Sequence, residues 1–231
     1  GEIDVDSLLT KELATELNSW NLGEMEADGR MEFDVACNWK LAIDTFGETY
    51  HFPSLHQNTI NLGFHGNVSL HDKFGRNHRF VLCRRGIDHV RTLPKDQWDI
   101  TLAATPAYWL FPNIQLLPTD FGAFFIRVCP DPKDPAHHIS RITIFFRPHV
   151  SGSSEELDSH RELQRHLSQL FTDIIRDEDY VMSASQQVTA SSGAMSHVTF
   201  GRNEPALHHY HNTYRSVLGM EPLPLLSEVD A

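Results

Sequence analysis

The sequence predicts an α+β fold in which a curved antiparallel sheet wraps around a long helix near the C-terminus. Strand-like runs separated by turn clusters such as DPKDP fill about residues 79 to 150. After residue 153 the apolar residues change to helical spacing. The order helix, sheet, long helix is typical of an α+β layout, and it predicts a pocket between the sheet and the helix.

Two helices and a strand are predicted ahead of this sheet. An amphipathic helix is indicated near the start by apolar residues at helical spacing: Leu8, Leu9, Leu13 and Leu17. The run MEFDV from Met31 alternates like a strand. NWKLAIDTFGETYH then predicts a helix that Pro53 ends, because proline lacks an amide donor and restricts Phe52 to extended conformations.

The strands of the sheet and two C-terminal helices follow. The strands are predicted at RFVLC, ITLAA, AYWLF, IQLLP, GAFFIRVC and SRITIFFRP. Ser153 and Glu156 form a capping-box pattern that predicts the start of the long helix. Its apolar residues recur at helical spacing: Leu163, Leu167, Leu170, Phe171, Ile174 and Ile175. A second helix, ALHHYHNTYRSVLG, is predicted to end at Gly219.

Length, charge and cysteine content limit the class of protein. With 231 residues and 40% hydrophobic composition, the chain is expected to form a single domain, residues 1–231. The formal net charge of -12 disfavours nucleic acids and anionic membranes as partners. Cys37, Cys83 and Cys129 match neither a disulfide framework nor a cysteine-ligated cluster. Because no signal peptide or membrane span is recognised, a cytoplasmic protein is expected.

The stretch GETYHFPSLH contains two histidines five residues apart, His51 and His56. Spacing alone is a weak signal, because 15 histidines in 231 residues give about one such pair by chance. Residues five apart on a regular helix point about 140° away from each other, so both side chains bind one ion only if the backbone departs from a helix. Pro53 predicts that departure.

A third metal ligand is available on the long helix. Its apolar line, at Leu167, Phe171 and Ile175, continues by a four-residue step to a carboxylate. That residue is Asp179. A buried, unpaired carboxylate costs several kcal/mol or stays protonated, so it requires a cation. A metal ion meets that requirement, and so does a buried arginine that forms an ion pair with the carboxylate. Of these two alternatives, helical periodicity alone favours the ion pair.

Four motifs, in order along the chain, carry a resemblance to a known family. They are NWKLAIDTFGETYHFPSLH, FPN at 111–113, DEDYVMSASQQV and GRNEPALHHYHNTYRSVLG. The first resembles the iron-binding signature of the catalytic domain of Rieske-type non-haem iron oxygenase α subunits, the ring-hydroxylating dioxygenases and their monooxygenase relatives. The third is similar to the family's second signature, an aspartate followed eight residues later by glutamine, here Asp179 and Gln187. The resemblance covers essentially the whole chain and implies the helix-grip fold.

The resemblance implies roles for individual residues. His51, His56 and Asp179 match the three iron ligands. Glu48 stands where the family has an acidic residue, often aspartate, that bridges to the Rieske cluster of a neighbouring subunit, so a catalytic role is implied for it. The preceding helix is one residue shorter than in some members, so no role is assigned to Asp44.

The resemblance also implies cofactors and partners. Two imidazoles and a carboxylate on one face of Fe(II) leave positions open for O2 beside a substrate, expected to be an aromatic or other apolar small molecule. Fe(II) alone cannot supply the electrons of an oxygenase cycle, so a [2Fe–2S] Rieske centre fed from NAD(P)H by a ferredoxin or reductase is implied. Because no CxH or CxxH occurs, the Rieske domain is expected to be absent from this chain, which alone should turn over poorly. The full-length protein is expected to be a homotrimer.

Two other functions remain open. A helix-grip cavity without catalysis would make the chain a binding module for small apolar ligands, although Glu48 and the three candidate ligands together argue against it. A zinc hydrolase would use the same three ligands with a bound water, although no HExxH motif occurs.

Structural roles are expected for several other aromatic and histidine residues. The aromatic residues of the strand-like runs are expected in the core rather than in a ligand cavity: Trp109, Phe111, Phe121, Phe124 and Phe125. His208, His209 and His211 are expected partly at the surface and partly against the sheet. His137 and His138, in a turn rich in proline and aspartate, are expected to be solvated.

Overall fold

The chain is built on an antiparallel sheet, seen in a computed structural model that describes residue 4 and residues 8–148 and 153–225. Its strands are β1 (Glu26–Val35), β2 (Phe64–Phe74), β3 (Asn77–Arg84), β4 (Ala104–Leu110), β5 (Ile114–Thr119), β6 (Gly122–Pro130) and β7 (His138–Phe146). They form a 7-stranded sheet in the order β1-β7-β6-β5-β4-β3-β2. Strands β2 to β7 therefore neighbour each other in chain order, whereas β1 pairs with β7 at the far edge.

Helices precede, interrupt and follow the sheet. They are α1 (Lys11–Ser19), α2 (Trp39–Asp44), α3 (Phe52–Leu55), α4 (Ile87–Val90), α5 (Ile100–Ala103), α6 (Ser154–Ile174), α7 (Tyr180–Ser191) and α8 (Pro205–Val217). A π-helical segment, Ile175–Asp179, joins α6 to α7 without a break. Short 3₁₀ turns lie at Leu22–Glu24, Ile60–Leu62 and Lys95–Gln97. Among the described helices, none has both the length and the apolar character of a membrane span.

The predicted capping box starts α6. Ser153 Oγ accepts a hydrogen bond from Glu156 N at 3.3 Å, and the Glu156 carboxylate accepts one from Ser153 N at 2.7 Å. The face predicted for this helix is wrong in part, because Leu163 and Leu170 are 55% and 49% exposed. The buried stripe contains polar side chains that find partners, such as Gln164, whose Nε2 donates to the backbone of Phe121 at 3.1 Å.

Alternate residues of the strands face two separate cores. On one side, strand residues pack with α6, α7 and α8; this core contains Trp109, Phe124, Ile126, Ile142, Ile175, Tyr180 and Tyr210. On the other side, strand residues pack with α1; this core contains Leu13, Leu17, Tyr108, Leu116 and Ala123. The aromatic residues predicted to be core are confirmed: Trp109, Phe111, Phe121 and Phe124 belong to the first core and Phe125 to the second.

Two predictions about local structure are wrong. The helix predicted to run from Asn38 to Pro53 ends at Asp44, where the backbone turns and Gly47 N bonds to Asp44 O at 3.0 Å. Pro53 instead lies in the first turn of α3, where its missing amide is not needed, and Phe52 is helical rather than extended.

The run ITLAA is also not a strand. Ile100–Ala103 form the short helix α5, because the side chain of Asp99 accepts from Thr101 N at 2.9 Å and caps its start. The end of α8 agrees with the prediction, since Gly219 follows it with the left-handed φ of 68° that suits glycine.

Candidate metal centre

His51, His56 and Asp179 meet at one point of the structure. His51 directly precedes the single-turn helix α3 and His56 directly follows it, so the backbone between them brings both rings to one side. His56 Nε2 lies 3.2 Å from Asp179 Oδ1, and His51 Nε2 lies 3.7 Å from the same oxygen. One ligand atom from each of the three residues lies within 4.8 Å of the others. The structure therefore brings together the three residues that the sequence singles out.

Each imidazole is oriented through its second nitrogen. His51 Nδ1 contacts the Glu48 carboxylate, which also accepts from His51 N at 3.2 Å. His56 Nδ1 lies 2.5 Å from Glu178 Oε2, and that carboxylate accepts from Thr59 Oγ1 at 2.9 Å. A carboxylate that holds Nδ1 fixes the ring and leaves Nε2 free for a metal ion. Both Nε2 atoms therefore face Asp179.

The centre is buried and rich in negative charge. His56 is 1% exposed and Asp179 is 3% exposed, while the His51 side chain is 16% exposed. Burial acts to lower the pKa of His56, but hydrogen bonds and charges from Asp179 and Glu178 outweigh burial and raise the pKa. Carboxylates packed around two imidazoles require a cation, either a proton or a metal ion. Two imidazoles and one carboxylate are a ligand set that fits Fe(II).

The π-helical segment Ile175–Asp179 places two consecutive acidic residues on one histidine. Glu178 contacts Nδ1 of His56, and Asp179 contacts Nε2 of the same ring. Consecutive residues of a regular α-helix point about 100° apart, and a π turn is a local widening often found at functional sites. The sequence shows Glu178 next to Asp179, but nothing in its pattern indicates the π turn, so the role of Glu178 is missed.

Other residues of the sequence motifs also contact each other, and one of them, His211, lies in the motif near the C-terminus. Gln187 Oε1 accepts from Asn38 N at 2.8 Å, which ties α7 to the start of α2. Asp44 Oδ1 lies 2.8 Å from His211 Nε2, which ties the end of α2 to α8. These contacts hold the segment that carries His51 against the helices that follow the sheet.

The remaining histidine predictions are partly confirmed. His208, His209 and His211 are half-buried on α8, as expected. The His137 side chain is 44% exposed, as expected, but His138 is fully buried and its Nδ1 bonds to Cys37 O at 2.8 Å. The prediction of a solvated His138 is wrong because this residue begins β7, where its pairing with β1 draws it into the core.

Comparisons with known proteins assign most of the chain to one family. The family described as the ring hydroxylating alpha subunit (catalytic domain) matches residues 22–220. No significant match is found among curated proteins.

Solved structures of Rieske oxygenases share the fold. A quaternary ammonium Rieske monooxygenase studied for carnitine oxidation by gut microbiota has a TM-score of 0.67 at 15% identity, covering 95% of this chain and 56% of that one. A variant of naphthalene 1,2-dioxygenase bound to phenanthrene has a TM-score of 0.56 at 14% identity, with coverages of 89% and 59%. Dicamba monooxygenase bound to 3,6-dichlorosalicylic acid has a TM-score of 0.53 at 10% identity, with coverages of 84% and 59%.

The chain spans little more than half the length of these solved structures. At these identities the likeness shows the fold alone, and it confirms the predicted helix-grip arrangement of an antiparallel sheet and a long C-terminal helix. The family match covers most of the chain. The chain therefore belongs to the ring-hydroxylating oxygenase α subunits, and it carries the catalytic domain of that family.

Proposed function

We propose that the chain holds one Fe(II) on His51, His56 and Asp179 and inserts oxygen from O2 into an aromatic or other apolar small molecule. The observation that carries the proposal is the orientation of the two rings, whose Nε2 atoms face Asp179 while carboxylates hold both Nδ1 atoms. When bound, the iron would supply a site at which O2 is activated next to the substrate.

The residues of the chain would bind, orient and shield this centre. His51, His56 and Asp179 are the proposed ligands, and Glu178 keeps His56 in place. Burial of His56 and Asp179 keeps water from that side of the centre. The predicted pocket between the sheet and the long helix is proposed to hold the substrate.

Glu48 is proposed to act between this centre and its electron donor. It contacts His51 through both the ring and the backbone amide, so it orients that ligand directly. Its side chain is 10% exposed, and it is proposed to bridge to a Rieske [2Fe–2S] centre of a neighbouring subunit.

Electrons are proposed to come from outside residues 1–231, which would form a single catalytic domain. The matched structures are Rieske oxygenases of which this chain spans little more than half. A Rieske centre on another domain or polypeptide, an NAD(P)H-dependent reductase or ferredoxin, and a homotrimeric assembly would complete the enzyme.

Iron content after anaerobic loading with Fe(II) tests the proposal. The wild type should hold about one iron per chain, whereas Asp179→Ala and His51→Ala should hold none, because a facial site needs all three ligands. Asp177→Ala is the matched control, since Asp177 is an exposed neighbour in the same π-helical segment and pairs with Arg176 instead. It should keep its iron.

The same experiment separates the competing functions. A wild-type chain that never holds stoichiometric iron, with all variants folded, would contradict the oxygenase and favour the small-ligand binding module. Preferential retention of zinc over iron would favour the hydrolase. If iron binds as expected, O2 consumption with an added Rieske donor and a panel of aromatic compounds is the next measurement.

A further inference from the structure

Residues 47–56, the ligand segment, carry both histidines of the candidate iron centre and touch β2 at a glycine. Gly66 is buried on β2, in a stretch where the register of β2 against β3 shifts. A glycine inside a strand often marks a bulge or the close approach of another backbone. Here the approaching element is the single-turn helix α3, whose Pro53 lies between His51 and His56.

The contact at Gly66 leaves no room for a side chain. A Cβ at this position would lie 2.6 Å from Pro53 Cδ, 2.9 Å from Pro53 Cγ and 3.1 Å from Thr49 O. Carbon atoms in contact are normally about 3.5–4.0 Å apart, so the ligand segment would have to move by roughly 1 Å. Neither a proline ring, which is closed on the backbone, nor a backbone oxygen can rotate aside.

Helix α8 touches the same segment at its other end. A Cβ at the buried Gly47 would overlap Leu207 Cδ2 and lie 3.2 Å from Leu207 Cγ. Leu207 is 4% exposed, so its side chain has little free space around it. One turn further along α8, His211 Nε2 lies 2.8 Å from Asp44 Oδ1 and fixes the helix against the residues just before Gly47. The ligand segment is therefore in close contact with both β2 and α8.

A shift of the ligand segment would move both imidazoles. His51 directly precedes α3 and His56 directly follows it, and their Nε2 atoms lie 3.7 Å and 3.2 Å from one oxygen of Asp179. Asp179 belongs to the π-helical segment that joins α6 to α7, so it does not move with the histidines. Metal–ligand distances are set to within about 0.2 Å, so a displacement of about 1 Å at Pro53 is large on that scale.

We propose that Gly66 of β2 and Leu207 of α8 are positioning residues of the candidate iron centre, a role that rests on the function proposed above. The missing side chain of Gly66 and the buried side chain of Leu207 together fix the distance between the ligand segment and Asp179. Gly66 lies outside every motif that carries the family resemblance, so the sequence gives no sign of its role.

Anaerobic Fe(II) titration of folded variants tests the proposal. Gly66→Ala should weaken iron binding by about 10-fold or more, since changes to residues that orient metal ligands typically cost about 10- to 100-fold in affinity. Gly63→Ala is the matched control, because Gly63 directly precedes β2 and a Cβ there would meet only Ile60 O, in ordinary contact at 3.7 Å. It should keep the affinity of the wild type.

Second-site variants separate positioning from a general loss of stability. Pro53→Ala removes the ring atoms that a Cβ at Gly66 would meet, so Gly66→Ala/Pro53→Ala should bind iron more tightly than Gly66→Ala. Gly47→Ala and Leu207→Ala should each weaken binding, the first by overlap and the second by leaving a cavity, whereas the double variant should bind more tightly than either. Co²⁺-loaded Gly66→Ala should also absorb visible light differently from the Co²⁺-loaded wild type, because that spectrum depends on ligand geometry.

Two results would overturn the positioning role. One is wild-type iron affinity in folded Gly66→Ala and Gly47→Ala. The other is a pair of double variants that bind iron no better than the single variants, which would make the loss a matter of stability alone. If Gly66→Ala does not fold, the comparison of Gly47→Ala, Leu207→Ala and their double variant decides. A wild type without stoichiometric iron would contradict the proposed function as well, so the wild type tells the two failures apart.

Discussion

The candidate iron centre and a three-histidine cluster, formed by His71, His78 and His209 between the sheet and α8, contain histidines whose pKa values shift in opposite directions. Each contains a pair of imidazoles about 5 Å apart, of which one, His56 or His78, is buried. In the iron centre, Glu48 and Glu178 hold the second ring nitrogens, and the pKa of His56 is raised. In the three-histidine cluster, burial outweighs every favourable contact and the pKa values fall. The partner of the second nitrogen, more than burial itself, therefore decides whether a buried histidine favours positive charge.

The largest expected effect is the loss of stability in metal-free His56→Ala. The substitution leaves Glu178 and Asp179 without their imidazole, and breaking a buried ion pair from one side costs about 3–5 kcal/mol. Urea unfolding in the presence of a chelator measures the change in the free energy of unfolding. His65→Ala is the control, because its partner Asp88 is half exposed and such pairs contribute about 1 kcal/mol or less. If both variants lost the same free energy of unfolding, a buried histidine held by carboxylates would matter no more to stability than a histidine in a solvent-exposed pair.

Glu178→Ala should weaken iron binding without unfolding the chain. His56 would keep its place as a ligand but lose the carboxylate that fixes its ring, and such outer-shell changes cost about 10- to 100-fold in metal affinity. Anaerobic Fe(II) titration measures the affinity, with Asp177→Ala as the matched neighbour. Unchanged affinity in Glu178→Ala would show that α3 alone orients the ring.

His138 gives a pH test of a histidine that has no carboxylate partner. Burial lowers its pKa, so the unfolded chain binds the proton more readily than the folded chain does. Stability should be complete above the unfolded pKa of about 6.5 and decline as the pH falls below it, by at most about 1.4 kcal/mol per pH unit. His138→Gln has no such proton to bind, so its free energy of unfolding should not show this decline. The difference in free energy of unfolding between the wild type and the variant should therefore become smaller as the pH falls.

Chemical denaturation at several pH values measures that gap. His137→Gln is the control, because the His137 side chain is largely accessible to solvent, and its free energy of unfolding should change with pH as that of the wild type does. A gap for His138→Gln that widens towards low pH would mean that the folded chain binds the proton more tightly than the unfolded one.

The smallest effect is expected for metal-free His78→Leu. The substitution removes a buried nitrogen without a partner and replaces the ring with an apolar side chain of similar volume, so the change should stay within about 1.5 kcal/mol. Urea unfolding with a chelator compares it directly with His56→Ala. A loss as large as that of His56→Ala would show that His78 has a polar partner after all.

The residues of the candidate iron centre could be singled out from the sequence, but their assignment as metal ligands came from the family resemblance, because spacing was a weak signal and periodicity favoured an ion pair with arginine. His51 and His56 lie in one short motif, and Asp179 lies on the predicted face of a helix whose capping box is visible at Ser153 and Glu156. The contact between Glu178 and His56 could not be predicted from the sequence, because it depends on a π turn within an otherwise continuous helix.

The three-histidine cluster could not be predicted from the sequence for a different reason. Its members come from two strands and a distant helix, and β2 has little of the regular alternation that predicts a strand. His138 was misplaced for a related reason: a proline-rich turn predicts exposure, whereas pairing with β1 buries the residue that follows it. Interactions between elements far apart in sequence decide both cases.

The pairing of β1 with β7 sets the order in which the chain can assemble. Strands β2 to β7 can pair one hairpin at a time, but β1 (Glu26–Val35) can pair only once β7 (His138–Phe146) is in place, which completes the open sheet. Such distant contacts slow folding, because the entropy of the intervening chain is lost before they form. His51 and Asp179 approach each other only when the helices beyond β7 dock, so the candidate metal centre is completed only late in folding.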